Sequence, residues 1–89
     1  MKTKTEMTPE QLLFAIFCIE SLADNLKTTG DKIYKMLTFD SDILDSYIVP
    51  NYDALHTQGK EYIIREIKEI MQERGVLKWF YIMVHTQIL

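Results

Sequence analysis

Apolar and polar positions follow a helical period over most of this chain, most regularly between residues 59 and 74. Ile63, Ile64, Ile67, Ile70 and Met71 recur three and four residues apart, while Arg65, Glu66, Lys68, Glu69, Gln72 and Glu73 fill the opposite face. Glu61 with Arg65, and Arg65 with Glu69, stand four apart and can pair for a few tenths of a kcal/mol each. Gly75 directly after Arg74 is a helix stop. Ahead of this helix lies a polar turn, His56-Thr57-Gln58-Gly59, in which Thr57 is the expected cap and His56 sits at the entrance.

A second strong pattern opens at Thr8-Pro9-Glu10-Gln11. Threonine is a favoured N-cap, proline suits the first helical position, and Gln11 stands three residues after the cap. Leu12 through Ile19 are all apolar, followed by Leu22, Ala23 and Leu26, so this helix is apolar on most sides. Such a helix is central to a core or covered by a partner. Thr28-Thr29-Gly30 closes it and opens a helix whose apolar face is Ile33, Tyr34, Met36 and Leu37. After a break at Phe39-Asp40-Ser41, Ser41 is placed to cap a third helix carrying Ile43, Leu44, Tyr47, Ile48 and Val49, which Pro50 ends.

The last fourteen residues, 76–89, hold ten apolar side chains. Their β-branched and aromatic content favours a strand, but a lone strand would have no sheet to join. A helix places Leu77, Phe80, Tyr81, Val84 and Ile88 on one face. The expected architecture is therefore all-α: a compact small bundle of four short helices near 9–26, 30–38, 42–49 and 59–74, plus an apolar C-terminal segment at 77–88 read as a fifth helix. Residues 1–7 are expected to form a flexible arm, 8–75 the helical domain and 76–89 an apolar extension.

Composition sharpens this picture. Eighty-nine residues make one domain, and an apolar fraction of 47% is too high for a disordered chain. The net charge is -3, and residues 8–75 carry twelve acidic against seven basic side chains. No Lys or Arg lies between Lys35 and Lys60, where Asp40, Asp42, Asp45 and Asp53 all fall. Phosphate backbones are repelled by such a surface, so nucleic acid is not an expected ligand. A single cysteine, Cys18, excludes an internal disulfide and a multi-cysteine metal site. The apolar run Leu12–Ile19 is too short to span a bilayer, and a cytoplasmic location follows by default.

Few residues offer chemistry. His56 could act as an acid or base, or hydrogen-bond a ligand together with Thr57 and Gln58; its structural role at a helix entrance is the plainer reading. Cys18, in the most apolar helix, is expected to be a buried hydrophobe with a raised pKa. Asp40, Asp42 and Asp45 lack the glycine and closing glutamate of a calcium loop. The helix-break-helix order of residues 9–49 permits a helix-turn-helix, but its second helix offers only Lys32 and Lys35 to a groove. No catalytic residue, cofactor or metal is expected.

Three stretches together carry a resemblance: Phe17-Cys18-Ile19-Glu20 in the first helix, Thr29-Gly30-Asp31-Lys32-Ile33-Tyr34 in the second, and above all Tyr52 through Ile63, with Leu55-His56-Thr57-Gln58-Gly59 followed by Glu61-Tyr62-Ile63. Over residues 8–75 the chain resembles a family of short bacterial proteins of uncharacterised function. What the resemblance implies is genomic context, since such proteins tend to be encoded beside a toxin resembling ADP-ribosyltransferases. The expected function is accordingly a non-enzymatic interaction module, the antitoxin-like or accessory partner of such a toxin, with a helix-turn-helix DNA-binding regulator as the alternative. The residues expected to meet a partner are His56, Thr57, Gln58, Asp42, Asp45, Trp79 and Tyr81. Large apolar surfaces mark partner sites, and the tail, with Trp79 and Tyr81 as anchors, is expected to pack partly on the first helix and partly against another chain, either the toxin or a second copy in a homodimer.

Overall fold

The computed structural model describes residues 7–77. They form helix α1 (Pro9–Leu26), helix α2 (Gly30–Thr38), a π-helix (Leu44–Ile48), the short helix α3 (Tyr52–Leu55) and helix α4 (Lys60–Glu73), with no strand among the described residues. The fold is the all-α small bundle that the periodicity predicts. Residues 1–6 and 78–89 lie outside the described residues, and with them most of the predicted fifth helix, Trp79 and Tyr81.

Helix α1 begins as its sequence dictates. Thr8 Oγ1 accepts the Gln11 N–H at 3.1 Å, and the Gln11 side chain accepts the Thr8 N–H at 3.0 Å, closing a reciprocal capping box with Pro9 inside it. Its end is less obvious. Lys27 takes the left-handed conformation (φ 59°, ψ 49°), with its N–H on the Asp24 carbonyl and the Thr28 N–H on the Ala23 carbonyl. This is the hydrogen-bond pattern of a Schellman stop, with lysine where glycine is usual. Gly30 is the first residue of α2, as expected, and the cap is Thr29, whose hydroxyl accepts the Lys32 N–H at 3.3 Å.

The third segment is helical but not α-helical. Its buried residues come in two adjacent pairs five apart, Ile43 with Leu44 and Ile48 with Val49. At about 100° per residue an α-helix would spread these four over about two-thirds of its circumference. Winding with i→i+5 bonds, near 80° per residue, gathers them within about one-third. The Val49 N–H accordingly reaches the Leu44 carbonyl at 3.0 Å. Ser41 joins this segment to α2, donating to the Met36 carbonyl and accepting the Ile43 N–H.

Helix α4 occupies the predicted span, but its cap is corrected. Gly59 is the N-cap and makes no side-chain bond, whereas Thr57 Oγ1 donates backward to the Ala54 carbonyl at 3.3 Å. The Tyr52–Leu55 stretch closes its own helical turn, with the His56 N–H on the Tyr52 carbonyl, and this turn consumes Thr57 before α4 begins. Gly75 stops α4 with φ 81°, a conformation that glycine takes without the strain of a Cβ.

The core is one continuous cluster. Helix α1 packs against α2 and α4, and α2 against the π-helix. Leu22, Ile33, Leu37, Ile43, Ile48, Ile67 and Met71 are fully buried, each contributing roughly 1.5–3 kcal/mol. Val76 and Leu77 belong to this core as well. Lys68 Nζ donates to Asn25 Oδ1 at 2.9 Å and ties α4 to α1 at the surface.

Candidate functional site

The residue pattern of α1 leaves it with two apolar faces. Phe14, Ala15, Cys18, Leu22 and Leu26 point into the core. Leu12 and Leu13, just before them in the sequence, and Ile16 and Phe17, between them, remain on the surface at 48%, 67%, 46% and 39% exposure. Single exposed apolar residues are ordinary, but four on neighbouring turns of one helix form a stripe. Tyr34 of α2 continues it across a groove of about 370 Å³ lined by Ile16, Ile19, Glu20, Gly30, Asp31 and Tyr34 itself. Among the described residues, these side chains are the part of the apolar α1 that is not drawn into the core.

A ladder of rings connects this stripe to the polar turn. Phe17 stacks on Phe14 with centroids 6.2 Å apart, Phe14 meets Tyr52 edge to face at 5.5 Å, and Tyr52 stacks on His56 at 4.3 Å. His56 is exposed and its Nδ1 lies 2.8 Å from the Tyr52 carbonyl oxygen. Because a carbonyl only accepts, Nδ1 carries the hydrogen, and in the neutral ring Nε2 is left as an acceptor. Thr57 and Gln58 are exposed beside it. The structure thus brings His56, Thr57 and Gln58 together at the far end of a ring ladder from the α1 stripe. The Tyr52–His56 spacing of four, one helical turn, was the sequence signal for the first stack; the Phe14–Tyr52 contact is tertiary and left none.

The acidic candidates lie elsewhere. Asp42 accepts from the Arg74 guanidinium and, at 3.1 Å, from the Ser46 hydroxyl. The Arg74 hydrogen bond first, then that of Ser46, holds the Asp42 carboxyl below the usual carboxylate range. This pairing fastens the π-helix region to the end of α4. Asp45 is half-buried in the π-helix itself, and Asp40 pairs with Lys35 at 3.1 Å. Much of the negative charge of segment 40–53 is therefore matched within the chain. Trp79 and Tyr81 lie outside the described residues.

Cys18 is 1% exposed, and burial pushes its thiol up to about 12. A thiol so placed stays protonated at neutral pH and is no nucleophile. Tyr47, half-buried, is raised by burial and then by Glu66. Among the described residues no group of three or more His, Cys, Asp or Glu side chains could hold a metal ion, and no helix is long and apolar enough to cross a membrane.

No curated protein and no solved structure matches the chain. A family model described as a protein of unknown function (DUF3791) matches residues 13–74, from the exposed stripe of α1 through the polar turn to the end of α4. Covering well over half of the chain, that match places this protein in the DUF3791 family.

Proposed function

We propose that this chain is a non-enzymatic protein-interaction module, the antitoxin-like or accessory partner of a bacterial toxin resembling ADP-ribosyltransferases, and that it acts in the cytoplasm. The observation that carries the reading is the exposed stripe of Leu12, Leu13, Ile16 and Phe17 on α1. Fully burying a large apolar side chain is worth roughly 1.5–3 kcal/mol, and these side chains, about half exposed, leave about half of that to be gained from a partner. The exposed His56-Thr57-Gln58 turn at the other end of the ring ladder supplies polar groups that can fix the orientation of docking. The resemblance around Leu55–Ile63 supplies the class of partner.

Co-expression with the neighbouring open reading frame, followed by purification through a tag on this chain, tests the proposal. A stoichiometric complex and suppression of the neighbour's toxicity are expected. Absence of both overturns it. Salt-sensitive, sequence-specific binding to the chain's own promoter in their place would make it a DNA-binding regulator.

A further inference from the structure

Helix α1 carries charge of one sign only. From Pro9 to Leu26 its charged side chains are Glu10, Glu20 and Asp24, with no lysine or arginine. On α1 the exposed apolar stripe therefore has only carboxylates for charged neighbours, and the charged residues lining the groove beside it are Glu20 again and one more, Asp31 of α2. Apolar and acidic side chains in one lining together describe the complement of a particular ligand.

From this we infer that the α1–α2 groove is a docking site for an amphipathic helix of a partner protein, with an apolar face seated on Leu13, Ile16 and Tyr34 and with lysines or arginines reaching Glu20 and Asp31. The inference rests on the reading of the chain as an interaction module and names the surface and the chemistry of its ligand. Helix-in-groove recognition uses anchors three and four residues apart, the spacing on which Leu13, Ile16, Phe17 and Glu20 stand. The same charges disfavour a second copy as occupant. Two α1 helices packed antiparallel would bring Glu10 toward Glu20, and packed in parallel would set Glu20 against Glu20, with no cation on either helix to compensate.

The probe is a fluorescein-labelled synthetic amphipathic helix about 18 residues long, with leucines on one face and lysines flanking them. A second peptide carries glutamates in place of the lysines. Anisotropy titrations against the full chain should show the lysine peptide binding at least about tenfold more tightly than the glutamate peptide. The pair Leu13→Ser and Ile16→Ser should abolish that binding while circular dichroism stays unchanged, since both side chains are already exposed. The pair Glu20→Lys and Asp31→Lys should reverse the preference between the peptides. Equal binding of both peptides, no binding of the lysine peptide, or binding unmoved by the α1 substitutions overturns the inference. A dimer in light scattering that Leu13→Ser dissociates overturns it also, in favour of a second copy. Co-purification of the neighbouring gene product unaffected by Leu13→Ser and Ile16→Ser would leave the proposed function standing and remove only the groove. Peptide binding with no such co-purification would do the reverse.

Discussion

The imidazole of His56 lies flat on the ring of Tyr52, one helical turn earlier, with centroids 4.3 Å apart and planes within 6°. The contact locks an exposed residue to a half-buried one, and through Tyr52 to Phe14 at the edge of the core. Aromatic pairs contribute about 0.5–1.5 kcal/mol beyond area. His56→Ala is expected to cost at the lower end of that range because the ring is exposed. Tyr52→Ala should cost more, since it also removes the contact with Phe14. Thermal denaturation compares the two, and in NMR His56→Ala should shift the ring resonances of Phe14 and Phe17. Unmoved Phe14 resonances would show that the ladder is not continuous in solution.

The start of α4 is open to improvement. Gly59 has cap geometry (φ -71°, ψ 157°), no side-chain bond, and nothing within 4 Å of where a Cβ would stand. Gly59→Ser adds an acceptor for the free N–H groups of the first turn and removes freedom from the unfolded chain, for a gain of roughly 0.5–1 kcal/mol. Thr57→Ala, by contrast, should cost less than about 0.5 kcal/mol, because the exposed Thr57 makes no bond to α4 and only a long, solvent-exposed one to the Ala54 carbonyl. Urea titration of both variants decides between Gly59 and Thr57 as the cap.

At the other end of the bundle, Lys27 holds a left-handed backbone that costs an L-residue roughly 1–2 kcal/mol. Its side chain is exposed. Lys27→Gly relieves that strain, offset in part by about 0.5–1 kcal/mol of added freedom when unfolded. A net stabilisation near 0.5 kcal/mol is expected, read as a higher urea midpoint at unchanged slope.

Cys18 gives the fold an alkaline limit. Its folded pKa, near 12, lies above the ordinary value of 9.0, so its contribution is fully present below pH 9 and is lost as pH rises toward 12. Within that window the unfolded chain releases the thiol proton and the folded chain keeps it, lowering stability by about 1.4 kcal/mol per pH unit. Cys18→Ala, which leaves Tyr47 in place, should flatten the decline between about pH 9 and 10.5. The native thiol should also resist iodoacetamide until urea unfolds the chain.

Sequence periodicity located α1, α2 and α4 to within a residue or so, because each has a cap or stop residue beside an unbroken period. It was misled where two short elements compete for the same polar residues. Thr57 has the chemistry of a cap, but the turn begun at Tyr52 takes it first, and nothing local ranks the two. The exposed stripe of α1 was legible as an excess of apolar positions, though which of them would face outward depended on where α2 and α4 pack. The Arg74–Asp42 pair joins residues 32 apart and left no mark in the pattern. Val76 and Leu77 looked like the start of an extension because Gly75 ends the helix before them, yet both are core.

The π-wound turn between Leu44 and Ile48 has a consequence for chain length. Its core residues stand five apart because one residue more is present than an α-helical turn requires. Loss of a single position between Leu44 and Ile48 would bring the two pairs to the α-helical interval of four, and the segment could rewind with the same four side chains inward. A deletion there is expected to leave a folded protein by circular dichroism, whereas the same deletion inside α4 would rotate Ile67 and Met71 out of the core and unfold it. Among these helices, this segment is where the chain is expected to lose one residue without losing its frame.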